Sequence, residues 1–187
     1  MTEMRKLPEL VVGTVLLGLI ALAGAQDALE ATVRWDSYGP VSVDDPLPEF
    51  RVELSDSTQL SSADLGAGEG VTMLAFWATW CHACEAEMPA LVALDARYDD
   101  DELRIVGVNR DDLPMDRRAA QVGAFSSARG MQFPHIYDDG QLARAFGVEA
   151  IPHLVLVDPN GRIRYVHLGR VTEKQLAYEV DELLRGG

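Results

Sequence analysis

The sequence predicts an α/β protein with a mixed central β-sheet and helices on both faces. Three observations carry this. Apolar runs of strand length alternate with segments of helical periodicity. Val71–Trp77 carries no charge, as a strand covered on both faces requires. Near the C-terminus, Leu154–Val157 and Ile163–Leu168 flank Asp158-Pro159-Asn160-Gly161, a turn suited to an antiparallel hairpin.

The elements follow in order. Phe50–Leu54 alternates as a first strand, and Val71–Trp77 is the buried central one. Cys81–Tyr98 has helical spacing, with Met88, Leu91, Val92 and Leu94 on one apolar face and Pro89 expected to kink it. Asp99–Glu102 is a solvated, charged turn. Leu103–Val108 is a second buried strand. Asp116–Arg129 is a helix that Gly130 ends. Phe133–Tyr137 is a short strand, and a short helix spans Gln141–Phe146. After the hairpin, Thr172 is an N-cap for a helix over Thr172–Leu184, with Gly186 as its stop.

The 187 residues suffice for one domain with a sizeable core and an N-terminal extension. A net charge of −14, from 30 acids against 16 bases, argues against nucleic-acid binding, which needs a basic footprint. Arg5 and Lys6 precede the uncharged run Leu10–Ala25, a basic flank followed by an apolar segment. Ala23-Gly24-Ala25 fits a cleavage site before Gln26, so the segment is either a cleaved signal peptide or an uncleaved anchor. Both readings place the remainder outside the cytoplasm. Residues 26–49 are acidic, contain Pro40, Pro46 and Pro48, and show no periodicity, as a linker does.

Both cysteines lie in Trp80-Cys81-His82-Ala83-Cys84, after an apolar run and before a helix. A dithiol at a helix start favours a thiolate on the first sulfur, and the second, one turn on, can attack a mixed disulfide. Two cysteines cannot complete a four-ligand zinc site without histidine help, and a disulfide closing so short a loop adds little stability. The pattern therefore points to a redox dithiol.

The chain resembles the TlpA/ResA-like (DsbE/CcmG-like) thiol-disulfide oxidoreductases of the thioredoxin superfamily. The resemblance rests on Phe76-Trp77-Ala78-Thr79-Trp80-Cys81-His82-Ala83-Cys84 with Glu87 and Pro89, on Phe146-Gly147-Val148-Glu149-Ala150-Ile151-Pro152, and on Asp158-Pro159-Asn160-Gly161-Arg162-Ile163. Pro48-Glu49-Phe50 and Val106-Gly107-Val108-Asn109 also fit. It covers residues 46–187 and implies a thioredoxin-like domain there, after the acidic linker over 26–45 and the signal-anchor or signal peptide over 1–25, which suits it too. It also implies an extra segment within Asp111–Tyr137. The implied activity is reduction of envelope protein disulfides, including those of apocytochrome c, with re-reduction by a membrane thiol transporter. The implied location is the periplasmic side of the cytoplasmic membrane.

The resemblance makes Cys81 the attacking thiolate and Cys84 the buried resolving thiol. Trp80 would shape the docking surface. Pro152 matches the cis-proline, so Ile151 and Pro152 become substrate-binding residues. Glu87 would exchange a proton with Cys84 or raise a thiol pKa; Glu85 is the weaker candidate. Two departures stand out. Ala83 occupies a position that is often proline, and His153 one that is often threonine. His82, if protonated, would favour the Cys81 thiolate and make the couple more oxidising. His153 is expected near the mouth of the site, whereas His135 and His167 are expected to be structural or surface residues. No cofactor beyond the redox-active cysteines and no metal is implied. The competing readings are a disulfide-forming oxidase and a copper or zinc metallochaperone using Cys81, Cys84 and His82 or His153. A peroxiredoxin-type peroxidase fits less well, because the dithiol leaves no separate peroxidatic cysteine.

Overall fold

The computed structural model describes residues 41–65 and 70–186. The expected N-terminal apolar segment (1–25) and residues 26–40 of the linker lie outside the described residues. Among the described residues, no helix is long and apolar enough to cross a membrane.

Strands β1 (Arg51–Glu53) and β2 (Gln59–Ser61) form a small antiparallel hairpin, followed by a single helical turn, α1 (Ser62–Leu65). The main sheet comprises β3 (Val71–Trp77), β4 (Leu103–Asn109), β5 (His135–Tyr137), β6 (His153–Val157) and β7 (Ile163–Leu168), in the order β5-β4-β3-β6-β7. Strands β3, β4 and β5 are parallel; β6 and β7 run antiparallel to their neighbours. The helices are α2 (His82–Glu85), α3 (Met88–Arg97), α4 (Met115–Arg129), α5 (Gln141–Ala145) and α6 (Glu173–Gly186).

Every residue of β3 is buried, and its side chains alternate between two cores. Met73, Ala75 and Trp77 pack with Leu91 and Leu94 of α3, Val122 of α4 and Leu176 and Val180 of α6. Leu74 and Phe76 pack on the opposite face with Leu60, Leu142 and Phe146. Burying each of the leucine, valine, methionine and phenylalanine side chains contributes about 2 kcal/mol. The end of β3 is therefore a fixed platform, and the segment carrying both cysteines leaves from it.

The expected continuous helix over Cys81–Tyr98 is instead two helices, broken at Ala86–Glu87. Pro89 has no N–H to donate, and its ring excludes the Glu85 carbonyl. It stands in the first turn of α3, where a missing donor costs nothing. β2 and α1 are too short to leave a periodic signal, and the sequence reading had neither. α1 is held by Asp64, whose carboxylate accepts from the Ser61 N–H and hydroxyl at 2.7 and 2.6 Å. Thr172 caps α6 through the Gln175 N–H, but Gly186 is its last helical residue, not a stop outside it. Residues 41–47 run beside β7: Asp44 N–H donates to Ile163 O at 2.7 Å, and Pro46 bridges Arg162.

Gly107 in β4 faces Trp77 and His135, and a Cβ there would collide with both rings. The glycine lets His135 seat in the core, with Nε2 2.9 Å from Ser126 Oγ of α4 and its ring 5.5 Å from those of Trp77 and Phe133. Burial lowers the His135 pKa to about 4. The unfolded chain takes up this proton below the ordinary value of 6.5, the folded chain only near 4. Stability from this site is thus complete above pH 6.5 and falls as pH drops toward 4, by roughly 3 kcal/mol in all. Urea unfolding at pH 7 and pH 4.5 should show that loss, and a His135→Asn variant, less stable outright, should lack this part of the slope.

Candidate functional site

The turn after β3 is built from polar residues that arrive from a distant part of the chain. The buried Asp111 carboxylate accepts the Thr79 N–H at 3.2 and 3.3 Å, the Thr79 hydroxyl at 2.9 Å and Asn109 Nδ2 at 2.8 Å. Arg118, also buried, donates from Nε to Asn109 Oδ1 at 2.9 Å and from Nη2 to the Asp138 carbonyl at 2.7 Å. Burial lowers the guanidinium's pKa, and Asp111 and Asp138 oppose that shift. The network fixes Thr79, and Thr79 precedes Trp80 and Cys81.

Cys81 and Cys84 are joined by a disulfide, S–S 2.05 Å and Cα–Cα 5.2 Å. Cys81 retains 7 % exposure and Cys84 none, so the first sulfur is the reachable one. Cys84 N–H points at Cys81 Sγ at 3.1 Å, a donor placed to stabilise a thiolate after reduction. Cys81 Sγ lies 3.8 Å from the Ile151 carbonyl oxygen, and the Ile151–Pro152 peptide is cis, as the resemblance implied. Trp80 stands 64 % exposed beside the pair, a surface aromatic and not a core one. Trp77, by contrast, is buried. His82 is exposed.

Glu87 occupies the break between α2 and α3 and is only 2 % exposed. Its backbone N–H donates to Cys84 O at 2.9 Å, and its Oε1 accepts the Val171 N–H at 2.8 Å. Burial raises the carboxyl pKa, opposed by the Val171 bond and by the charges of His167 and Arg170. The loop after β7 links these features, since Gly169 N–H donates to Pro152 O at 2.8 Å two residues before Val171.

His153 departs from its expected place at the mouth. It is 6 % exposed, edge-on to Phe76 at 5.9 Å, on the face of β3 opposite Trp77. Side chains alternate along β6, so Leu154, not His153, joins the core that contains the cysteines. Burial, with a smaller contribution from His167, lowers the His153 pKa. His135 is a core residue, and His167 pairs with the buried Glu179 at 2.8 Å. Among the described residues, no group of three or more His, Cys, Asp or Glu could hold a metal ion.

In the sequence, Asp111, Arg118 and Gln121 carry no assigned role, and Asn109 counts only as part of the resemblance. One signal was available: Asn109-Arg110-Asp111 is a polar cluster at the carboxyl end of a parallel strand, where α/β sites form.

The fold and the paired cysteines define a thioredoxin-like thiol-disulfide oxidoreductase of the ResA/DsbE type. The chain belongs to the AhpC/TSA family, whose model matches residues 43–166. It is 29% identical over 181 residues to the thiol-disulfide oxidoreductase ResA of Geobacillus thermodenitrificans, covering 96% of this chain and 99% of that one. It is 34% identical over 143 residues to the thiol:disulfide interchange protein DsbE of Escherichia coli K12, covering 74% and 71%. The structure of MTB dsbF in mixed oxidized and reduced forms superposes with a TM-score of 0.63 at 27% identity, covering 73% of this chain and 96% of that one.

Proposed function

We propose that this chain is a membrane-anchored, extracytoplasmic oxidoreductase that reduces protein disulfides, with apocytochrome c among its substrates. One observation carries the direction of attack: Cys81 is the reachable sulfur, between exposed Trp80 and the Ile151–Pro152 edge, while Cys84 is fully buried. In the dithiol form, the Cys81 thiolate attacks one sulfur of a substrate disulfide. The substrate S–S bond breaks, its other sulfur leaves as a thiolate, and a Cys81–substrate disulfide forms. Cys84 loses its proton and attacks Cys81 Sγ. The second substrate sulfur departs, and the Cys81–Cys84 disulfide closes. Two electrons pass to the substrate, and a membrane thiol-reductant transporter returns two.

Trp80, His82, Ile151 and Pro152 form the docking edge; His153 supports it from behind the sheet. Glu87, buried with a raised pKa and one turn past Cys84, is suited to exchange the resolving thiol's proton. The basic pair Arg5 and Lys6 ahead of Leu10–Ala25 supports insertion with the catalytic domain outside the cytoplasm.

Equilibration of residues 26–187 with a thiol buffer tests the direction of flux. A reduction potential near about −270 mV, the thioredoxin end of the scale, is expected; one near about −120 mV makes the protein an oxidant and overturns the reading. The full chain should fractionate with membranes and the fragment 26–187 should not; equal partitioning would refute anchoring. A Glu87→Gln variant keeps an acceptor for Val171 but cannot exchange a proton. It should slow release of the second substrate thiol about 100-fold at pH 7 while sparing the first attack, as read by stopped-flow with a fluorescent disulfide peptide.

A further inference from the structure

Both ends of the redox segment are held by one face of α4. Gln121 donates from Nε2 to Thr79 Oγ1 ahead of Cys81, and Arg129 pairs with Glu85 behind Cys84. Gln121, Phe125 and Arg129 are spaced four apart, so they form a single stripe about 12 Å long. The middle of the stripe is anchored: the Phe125 ring lies 5.0 Å from that of Trp77. The Arg129 guanidinium sits 3.6 Å above the Phe125 ring and donates to the Phe125 carbonyl at 3.4 Å. It is therefore oriented before it meets Glu85, and pairing costs less side-chain entropy than for a free surface arginine.

Glu85 follows Cys81 by four residues, the spacing of neighbours along a helical turn, and its N–H donates to Cys81 O at 3.0 Å. An unpaired carboxylate there would oppose a Cys81 thiolate; a paired one would not. Other charged or titratable groups around the segment are exposed His82, Glu87 in the helix break and Asp111 under Thr79. None of these faces Arg129 in a hydrogen bond or ion pair.

We infer that Arg129 is a positioning residue for the redox reaction: carried on α4, it neutralises Glu85 and thereby sets the balance between dithiol and disulfide at Cys81–Cys84. This rests on the pair being the redox centre and not on the direction in which it passes electrons.

The test is the equilibrium of the full chain, in detergent, with glutathione. Arg129→Gln leaves Glu85 unneutralised and should shift the equilibrium about threefold toward the disulfide, equivalent to about 14 mV. Glu85→Gln leaves the guanidinium unpaired and should shift it about threefold the other way. The double variant and the exchange Glu85→Arg with Arg129→Glu should both return close to the unmodified protein. High salt should shrink each single-variant shift. A purely structural pair would move both single variants in the same direction, and that result, or no shift at all, overturns the inference. If Arg129→Gln fails to fold, failure of the exchange variant to restore the equilibrium is equally decisive. An oxidising potential in the unmodified protein would overturn the reductase reading but leave this pattern of signs intact.

Discussion

The Asp111 carboxylate is the constraint on which the rest of the site depends. β3 delivers the chain to the edge of the core, but a strand end fixes only its last residue. Thr79 and Trp80 must then turn so that Cys81 begins a helix facing Ile151–Pro152. Asp111 holds that turn by accepting both the N–H and the hydroxyl of Thr79. Asp111 is held in turn by Asn109, and Asn109 by Arg118. Buried charge is costly, and replacing it with apolar side chains is often neutral or stabilising. Its use here is geometric: hydrogen bonds have directions and apolar contacts do not, so the network selects one path for the redox turn.

The sheet then divides labour between its faces. The core shared by α3, α4 and α6 includes both cysteines, while the opposite core packs the N-terminal hairpin and α5 against Phe76. Ile151 packs against both. His153, one residue past the cis-proline, turns away from the dithiol and packs on Phe76. It supports the strand that follows the cis-proline without reaching the mouth of the site.

Much of this was legible in the sequence. Val71–Trp77 announced a buried strand because burial on both faces excludes charge, and the Cys-x-x-Cys announced its chemistry through its spacing together with its place between an apolar run and a helix. Ile163–Leu168 was found residue for residue, because Asp158–Gly161 marks one end and Gly169 the other. What stayed hidden was of two kinds. β2 and α1 span three and four residues, less than two strand repeats or one helical turn beyond closure. The Asp111–Thr79 contact joins residues 32 apart in the chain, and no local pattern encodes such a pairing. His153 was misplaced for a third reason: adjacency to Pro152 in sequence suggested adjacency in space, and strand alternation sends its side chain the other way.

Glu85 and Glu87 show how far environment outweighs identity. Both follow Cys84 closely, and the sequence favoured Glu87 through the resemblance and through its three-residue spacing from Cys84 on a helix. The helix break forced by Pro89 separates them. Glu85 remains in the last turn of α2, half-exposed, and meets Arg129. Glu87 falls in the break, is buried, and keeps one fixed partner, the Val171 N–H. A carboxylate neutralised by a guanidinium leaves little net field on its neighbours; a buried one with a raised pKa can change charge as a thiol beside it does. The Glu87 side chain accepts the Val171 N–H, and two residues earlier the Gly169 N–H donates to the carbonyl of Pro152. A single buried carboxylate thus connects the segment that bears the thiols to the loop that faces them.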